Sequence, residues 1–280
     1  MKLAVSNIAW APRDRLAAYG VLERHGIAGL EIAPGLFLDG ADDPFRPDTA
    51  TLARARSEIA DAGLRLVSMQ SLLFGVGGAA LFGPPEAQAR LRDGMLRAIG
   101  LGETLEIPNL VFGSPKQRVI PDGMSAARAQ DEAAELFGVL GDAAAAAGTR
   151  IAVEFNPAAY GTNFLTDAEA AIGFVRALDH PAVTLNFDIG AMHMNAGFDR
   201  IDTLIPDAID CISHVHVSEP NLAPAPARGE DARHVFEVLR AAGYAAWVSL
   251  EMATPEGGLA TLETHVERLA EAARNGGAPT

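Results

Sequence analysis

The chain is poor in cysteine, with a single residue, Cys211, in 280. No internal disulfide can form, so stability must come from an apolar core, and a reducing cytoplasm is the expected home. Long apolar runs are missing as well. No stretch approaches the roughly 18 to 20 residues that a membrane-spanning helix needs, so no membrane partner is expected. The opening MKLAVSNIAWAPRDR breaks its apolar stretch at Ser6 and Asn7, and no export signal is expected there. Positive charge is the third shortage. Lys and Arg number 22 against 36 Asp and Glu, a formal charge of −14. Nucleic-acid affinity comes mostly from cations that neutralise phosphates, so no nucleic-acid partner is expected.

A G-x-G-x-x-G phosphate loop is also absent after the first β-like run, which removes the commonest signature of a doubly wound open sheet. What is present is a regular alternation. Eight short β-like runs, LAVSNIA (3–9), GLEIA (29–33), LRLVSMQ (64–70), NLVFG (109–113), RIAVEF (150–155), VTLNFD (183–188), CISHVHV (211–217) and AAWVSLE (245–251), are separated by Ala-rich stretches of helical periodicity. Several of these stretches close on Gly, where a helix C-cap falls. Eight βα alternations with no linker predict an α/β fold: a (β/α)8 TIM barrel as a single domain over residues 1–280, with 275–280 (NGGAPT) a disordered tail. TDAE (166–169) reads as a capping box in which Thr166 reaches the third helical amide and Glu169 reaches back. NPAAYGTNFL before it is then a long loop on the catalytic face.

Strand side chains alternate between faces, so each run divides by parity. In VTLNFD, Val183, Leu185 and Phe187 oppose Thr184, Asn186 and Asp188; in RIAVEF, Ile151, Val153 and Phe155 oppose Ala152 and Glu154; in AAWVSLE, Val248 and Leu250 oppose Ser249 and Glu251. Three inward faces therefore end in a carboxylate at the C-terminal edge. Three such groups at one mouth raise one another's pKa unless a cation intervenes. Adding a histidine from the seventh strand gives Glu154, Asp188, His216 and Glu251, an oxygen-rich set that suits one divalent metal ion, Mn2+ first, with Mg2+ or Co2+ possible. His214 shares the face of His216 but lies about 6 to 7 Å deeper at roughly 3.3 Å per residue. It is assigned as the support of a ligand above it.

GLEIAP, FGSPKQR, AVEFNP, NFDIGAMHMN, HVHVSEP and SLEM, in this order, resemble the xylose isomerase-like TIM barrel superfamily, in particular its ketose 3-epimerase and hydroxypyruvate isomerase branch. The resemblance implies that Glu154, Asp188, His216 and Glu251 bind the metal and that Glu154 and Glu251 are catalytic, exchanging protons with a small sugar or sugar-like hydroxyketone through a metal-bound cis-enediolate. It implies an isomerase or epimerase, with a lyase of the inosose dehydratase type as alternative. An endonuclease IV-like phosphodiesterase fits less well, since the first four strands offer almost no histidine. A non-catalytic sugar-binding barrel is the remaining reading.

His193 resembles a family histidine that contacts substrate, in a loop two residues longer than usual. Glu219 matches a family glutamate, whereas Leu222 stands where an Arg is common; Arg228 is the candidate substitute. Lys116 and Arg118 follow the fourth strand, either to hold a substrate anion or to form structural ion pairs. Gln70 and Asn163 are polar contacts by position, Trp10 is a wall of the pocket, and Glu31 is a supporting group. Homo-oligomers are common among such barrels, so self-association is possible here.

Overall fold

The computed structural model describes the backbone of residues 1–275 and the side chains of residues 1–274. Of the expected tail, Asn275 is instead the last residue of a helix, and 276–280 lie outside the described residues.

Eight strands appear where alternation places them: β1 (Lys2–Ser6), β2 (Gly29–Ile32), β3 (Arg65–Met69), β4 (Leu110–Phe112), β5 (Ile151–Glu154), β6 (Val183–Asp188), β7 (Ile212–Val217) and β8 (Trp247–Leu250). All pair in parallel in sequence order, and β1 pairs with β8 to close the barrel. This is the (β/α)8 architecture. Among the described residues ten helices accompany the strands: α1 (Arg15–Arg24), α2 (Pro34–Phe37), α3 (Thr49–Asp61), α4 (Pro85–Thr104), α5 (Ala126–Ala146), α6 (Ala168–Leu178), α7 (Ile189–Met194), α8 (Ile201–Ala208), α9 (Gly229–Ala241) and α10 (Gly258–Asn275). The short α2 and α7 sit in the loops that leave β2 and β6, on the face where βα-loops build active sites. Gly63 and Gly148, with φ of +63° and +69°, follow α3 and α5 in the left-handed conformation that stops a helix without a Cβ penalty.

The parity rule holds on both faces. Val153, Phe155, Leu185, Phe187, Val215, Val248 and Leu250 are fully buried between sheet and helices. Inside the barrel the side chains are polar and mutually bonded. Thr184 Oγ1 lies 2.7 Å from Ser213 Oγ; Ser213 donates to Asn109 Oδ1 at 2.8 Å, and Asn109 Nδ2 donates to Ser68 Oγ at 3.1 Å. Such a layer leaves few buried polar groups without partners, which is the condition for burying them at all.

The helix α6 begins differently from the expected capping box. Asp167 is its N-cap and accepts from the Ala170 amide at 2.8 Å, while Glu169 pairs with Arg200 rather than reaching back. Asp167, with φ −140° and ψ 168°, is the last extended residue, and that conformation decides which of two adjacent oxygens faces the free amides.

Candidate active site

The ladder alone does not set the four expected ligands at one level. Glu154 pairs with Asn186, Asp188 with His216, and His216 with Ser249, two residues short of Glu251. Strand tilt supplies the rest, because in a barrel of shear eight each step around the wall climbs by about one residue. A register irregularity between Leu185 and Asn186 adds to the climb.

The result is a convergence on one imidazole nitrogen. His216 Nδ1 stands 3.2 Å from Glu154 Oε1, 3.1 Å from Glu251 Oε2 and 3.7 Å from Asp188 Oδ2. Glu154, Asp188 and His216 each offer an atom such that all three lie within 4.8 Å of one another. Despite these short distances, His216 Nδ1 is buried and makes no hydrogen bond of acceptable geometry. Its other nitrogen is committed: Nε2 faces Glu31 Oε2 at 3.1 Å. An orphaned, aimed imidazole nitrogen among three carboxylates is the donor set of a divalent cation, and these residues fit one.

Each carboxylate is held by neighbours. Asn156 Nδ2 donates to Glu154 Oε2 at 2.8 Å and Asn186 Nδ2 donates to Glu154 Oε1 at 2.7 Å. Asp188 Oδ1 caps α7 by accepting from the Ala191 amide at 2.5 Å, while Oδ2 accepts from Ser218 Oγ at 2.7 Å. Gly113 makes room: a Cβ there would stand 2.8 Å from Glu154 Oε2. Beneath the site, Glu31 accepts from Gln70 Nε2 at 2.8 Å and lies 3.2 Å from His214 Nε2, which also meets Ser249 Oγ at 2.8 Å.

Environment separates the carboxyls electrostatically. Burial raises the pKa of Glu251, and the charges of Glu154 and Asp188 add to that against His216, bringing it to about 7. Burial opposes ionisation of Glu154 too, yet His216, Asn156 and Asn186 outweigh it and its pKa is lowered. Glu31 is likewise held well below its ordinary value, burial being overcome by His216 and His214. His216 is raised well above its ordinary value by the surrounding carboxylates in spite of burial, and His214 is lowered, chiefly by burial.

The site opens into a cleft of about 580 Å3 whose lining includes Glu154, Asp188 and Glu251 together with Gln70 and Glu219. Glu219 Oε1 accepts from the Ala227 amide at 2.7 Å. Other expected contacts stand outside the lining. Trp10 is core, packed edge-on against Tyr19 at 6.2 Å. Both amide atoms of Asn163 are used on the backbone of Ile120, at 2.6 and 3.0 Å. His193 is stacked on Phe198 at 4.2 Å, on the far side of α7 from Asp188 in sequence. Lys116 is exposed on a short turn, and Arg228 is exposed and paired with Glu230 and Asp231. Arg118 is fully buried behind the wall, donating Nη2 to Asn156 Oδ1 at 2.7 Å, and burial lowers its pKa to about 10. Thus neither cation of FGSPKQR reaches the cleft.

Several lining residues escaped the sequence reading. Asn156 and Ser218 lie two positions beyond Glu154 and His216, so parity extended past the strand ends would have found them. Tyr160, whose hydroxyl accepts from the Asn221 amide at 3.1 Å, sits in an irregular loop where periodicity carries no signal.

Residues 20–275 match the family model of the xylose isomerase-like TIM barrel, and the chain belongs to that family. No curated protein matches it in sequence. Among solved structures it is similar in fold to 3-keto-D-glucoside 4-epimerase from E. coli, at TM-score 0.77 and 17% identity over 98% of this chain and 99% of that one. D-psicose 3-epimerase from Clostridium cellulolyticum H10 follows at TM-score 0.74 and 17% identity, over 99% and 96%. An AP endonuclease of family 2 from Brucella melitensis superposes at TM-score 0.71 and 21% identity, over 97% and 99%.

Proposed function

We propose that this chain is a divalent-metal-dependent isomerase or epimerase of a small sugar or sugar-like hydroxyketone. The observation that carries the reading is the unpartnered Nδ1 of His216, flanked at 3.2 and 3.1 Å by Glu154 and Glu251 on the floor of the cleft. Glu154, Asp188, His216 and Glu251 would hold the ion, Mn2+ first and Mg2+ or Co2+ next. When bound, such an ion acidifies the C–H between a carbonyl and a hydroxyl and stabilises the negative charge that follows.

The protein's own groups supply the proton traffic. Glu154 and Glu251 approach His216 Nδ1 from two different strands, which places one carboxylate to remove a proton and the other to return it. Glu154, kept ionised by Asn156 and Asn186, is the base that removes the proton. Glu251, facing the same His216 nitrogen at 3.1 Å, is the group that returns one. The epimerases of similar fold support a sugar substrate. The endonuclease of similar fold does not lend its substrate, because the described lining carries four carboxylates and neither Lys nor Arg to meet phosphates.

The test is solvent exchange. Mn2+-loaded protein in deuterated water with a panel of ketoses should place deuterium on one sugar carbon. Glu154→Gln should slow this by about 10²-fold or more while circular dichroism stays unchanged. Full exchange in the variant would sink the assignment, and a product lighter by one water would make the enzyme a lyase.

A further inference from the structure

The cleft extends beyond Glu154, Asp188 and Glu251, and its lining is partly apolar. Beside its carboxylates, Leu73, Phe74, Val111, Pro115 and Leu222 contribute to the lining. Its volume of about 580 Å3 lies within the roughly 300 to 1,000 Å3 of small-molecule pockets and has room for more than the reacting carbons.

Phe74 is the unusual member. The residue is 57% exposed and lines the cleft, so its ring is open to a ligand there. It is also firmly seated. Its amide donates to Ser71 O at 3.0 Å and its carbonyl accepts from Arg97 Nη2 at 2.8 Å, with the Arg97 guanidinium over the Phe45 ring at 4.3 Å. The ring rests on Gly35, at the start of α2, where a Cβ would stand 2.9 Å from Phe74 Cε1. A glycine that makes room for an exposed aromatic ring lining the cleft leaves that ring available as a platform for another ring.

Charge decides which ring. The described lining holds Glu154, Asp188, Glu219 and Glu251 and no Lys or Arg; Lys116 is exposed outside it, and the buried Arg118 is bonded to Asn156. A phosphate or carboxylate at the far end of the substrate would meet only repulsion. A hexose ring presents an apolar C–H face to an aromatic and needs no counter-ion.

We infer that the outer half of this cleft is a subsite for a second, uncharged sugar ring stacked on Phe74, so that the substrate is a neutral keto-glycoside rather than a phosphorylated or free monosaccharide. The inference rests on the function proposed above for the floor. Three probes share the same hydroxyketone end and differ at the other: D-fructose, isomaltulose, which carries a glucosyl ring, and fructose 6-phosphate.

Calorimetric titration of the Mn2+-loaded protein should find isomaltulose bound about tenfold more tightly than fructose, with fructose 6-phosphate weakest. Phe74→Ala should bring the isomaltulose-to-fructose affinity ratio to about one, Phe74→Trp should restore it, and Gly35→Ala, which displaces the ring without removing it, should lower it. Fructose 6-phosphate binding as tightly as isomaltulose, or a ratio unmoved by Phe74→Ala, would overturn the subsite. Deuterium exchange on the same probes separates the two claims. The expected ranking without exchange keeps the subsite and rejects the isomerase; exchange without the ranking does the reverse; binding of none rejects both.

Discussion

At the scale of single residues, the telling arrangement is the contact of one carboxylate with two histidines. Glu31 Oε2 lies 3.1 Å from His216 Nε2 and 3.2 Å from His214 Nε2, and all three side chains are buried. A carboxylate on Nε2 fixes the imidazole tautomer that leaves Nδ1 free for a cation and raises its basicity, and removal of such a partner weakens metal binding by about 10- to 100-fold. Glu31→Gln should therefore lower Mn2+ affinity by about that factor in a chelator competition assay, with the fold unchanged. Unaltered affinity would show that the His216 ring is oriented by packing alone. His214 then acts through Glu31 and Ser249 rather than by touching the reacting atoms. That pairing joins positions 31 and 214, and no spacing in the chain announces it.

At the scale of elements, caps and loop lengths decide what the strands present. Asp188 both ends β6 and caps α7, so its position is set twice by backbone. The start of α6 makes a sharper test, because two adjacent residues, Thr166 and Asp167, are both preferred N-cap types. Asp167→Ala should cost about 1 kcal/mol of stability in urea unfolding, whereas Thr166→Ala should leave the midpoint nearly unmoved; the opposite order would restore Thr166 as the cap. Strand positions were legible because period-two alternation is local. The loops were not. His193, Asn163 and Arg228 lie in the loops after strands, and their side chains are taken by Phe198, Ile120 and Glu230, contacts that strand periodicity does not predict.

At the scale of the whole molecule, closing the sheet concentrates negative charge that nothing in the protein fully offsets. Burial and the neighbouring carboxylates hold the Glu251 proton up to about pH 7, and His216 is raised well above its ordinary value. Groups with raised folded-state pKa contribute stability that is present below their unfolded values and lost as pH rises through the folded ones. The metal-free protein should therefore lose stability from Glu251 as pH rises from about 4.5 to about 7, and from His216 as pH rises above its ordinary range. A cation needs both deprotonated, so its affinity should rise over the same interval. Mn2+ at about 100 times its Kd should add about 2.7 kcal/mol, roughly 5 to 10 °C in Tm. In thermal unfolding with Mn2+ or with chelator, that gain should be larger at pH 8 than at pH 6; a gain independent of pH would mean that these protons are not displaced. No described helix is long and apolar enough to cross a membrane, and the molecule is organised around this one buried centre.

The sequence alone determined the number of strands, their order, the residues that face inward and the carboxylates at their ends, because alternation and helix periodicity are properties of neighbouring residues. The tertiary structure decided the rest. Barrel tilt brought Glu154 and Glu251 to one nitrogen, the crossing of the barrel joined Glu31 to both histidines, and the bare backbone of Gly35 seated Phe74 at the mouth. Each of these is a contact between distant parts of the chain, fixed by strand stagger and by the space a missing side chain leaves.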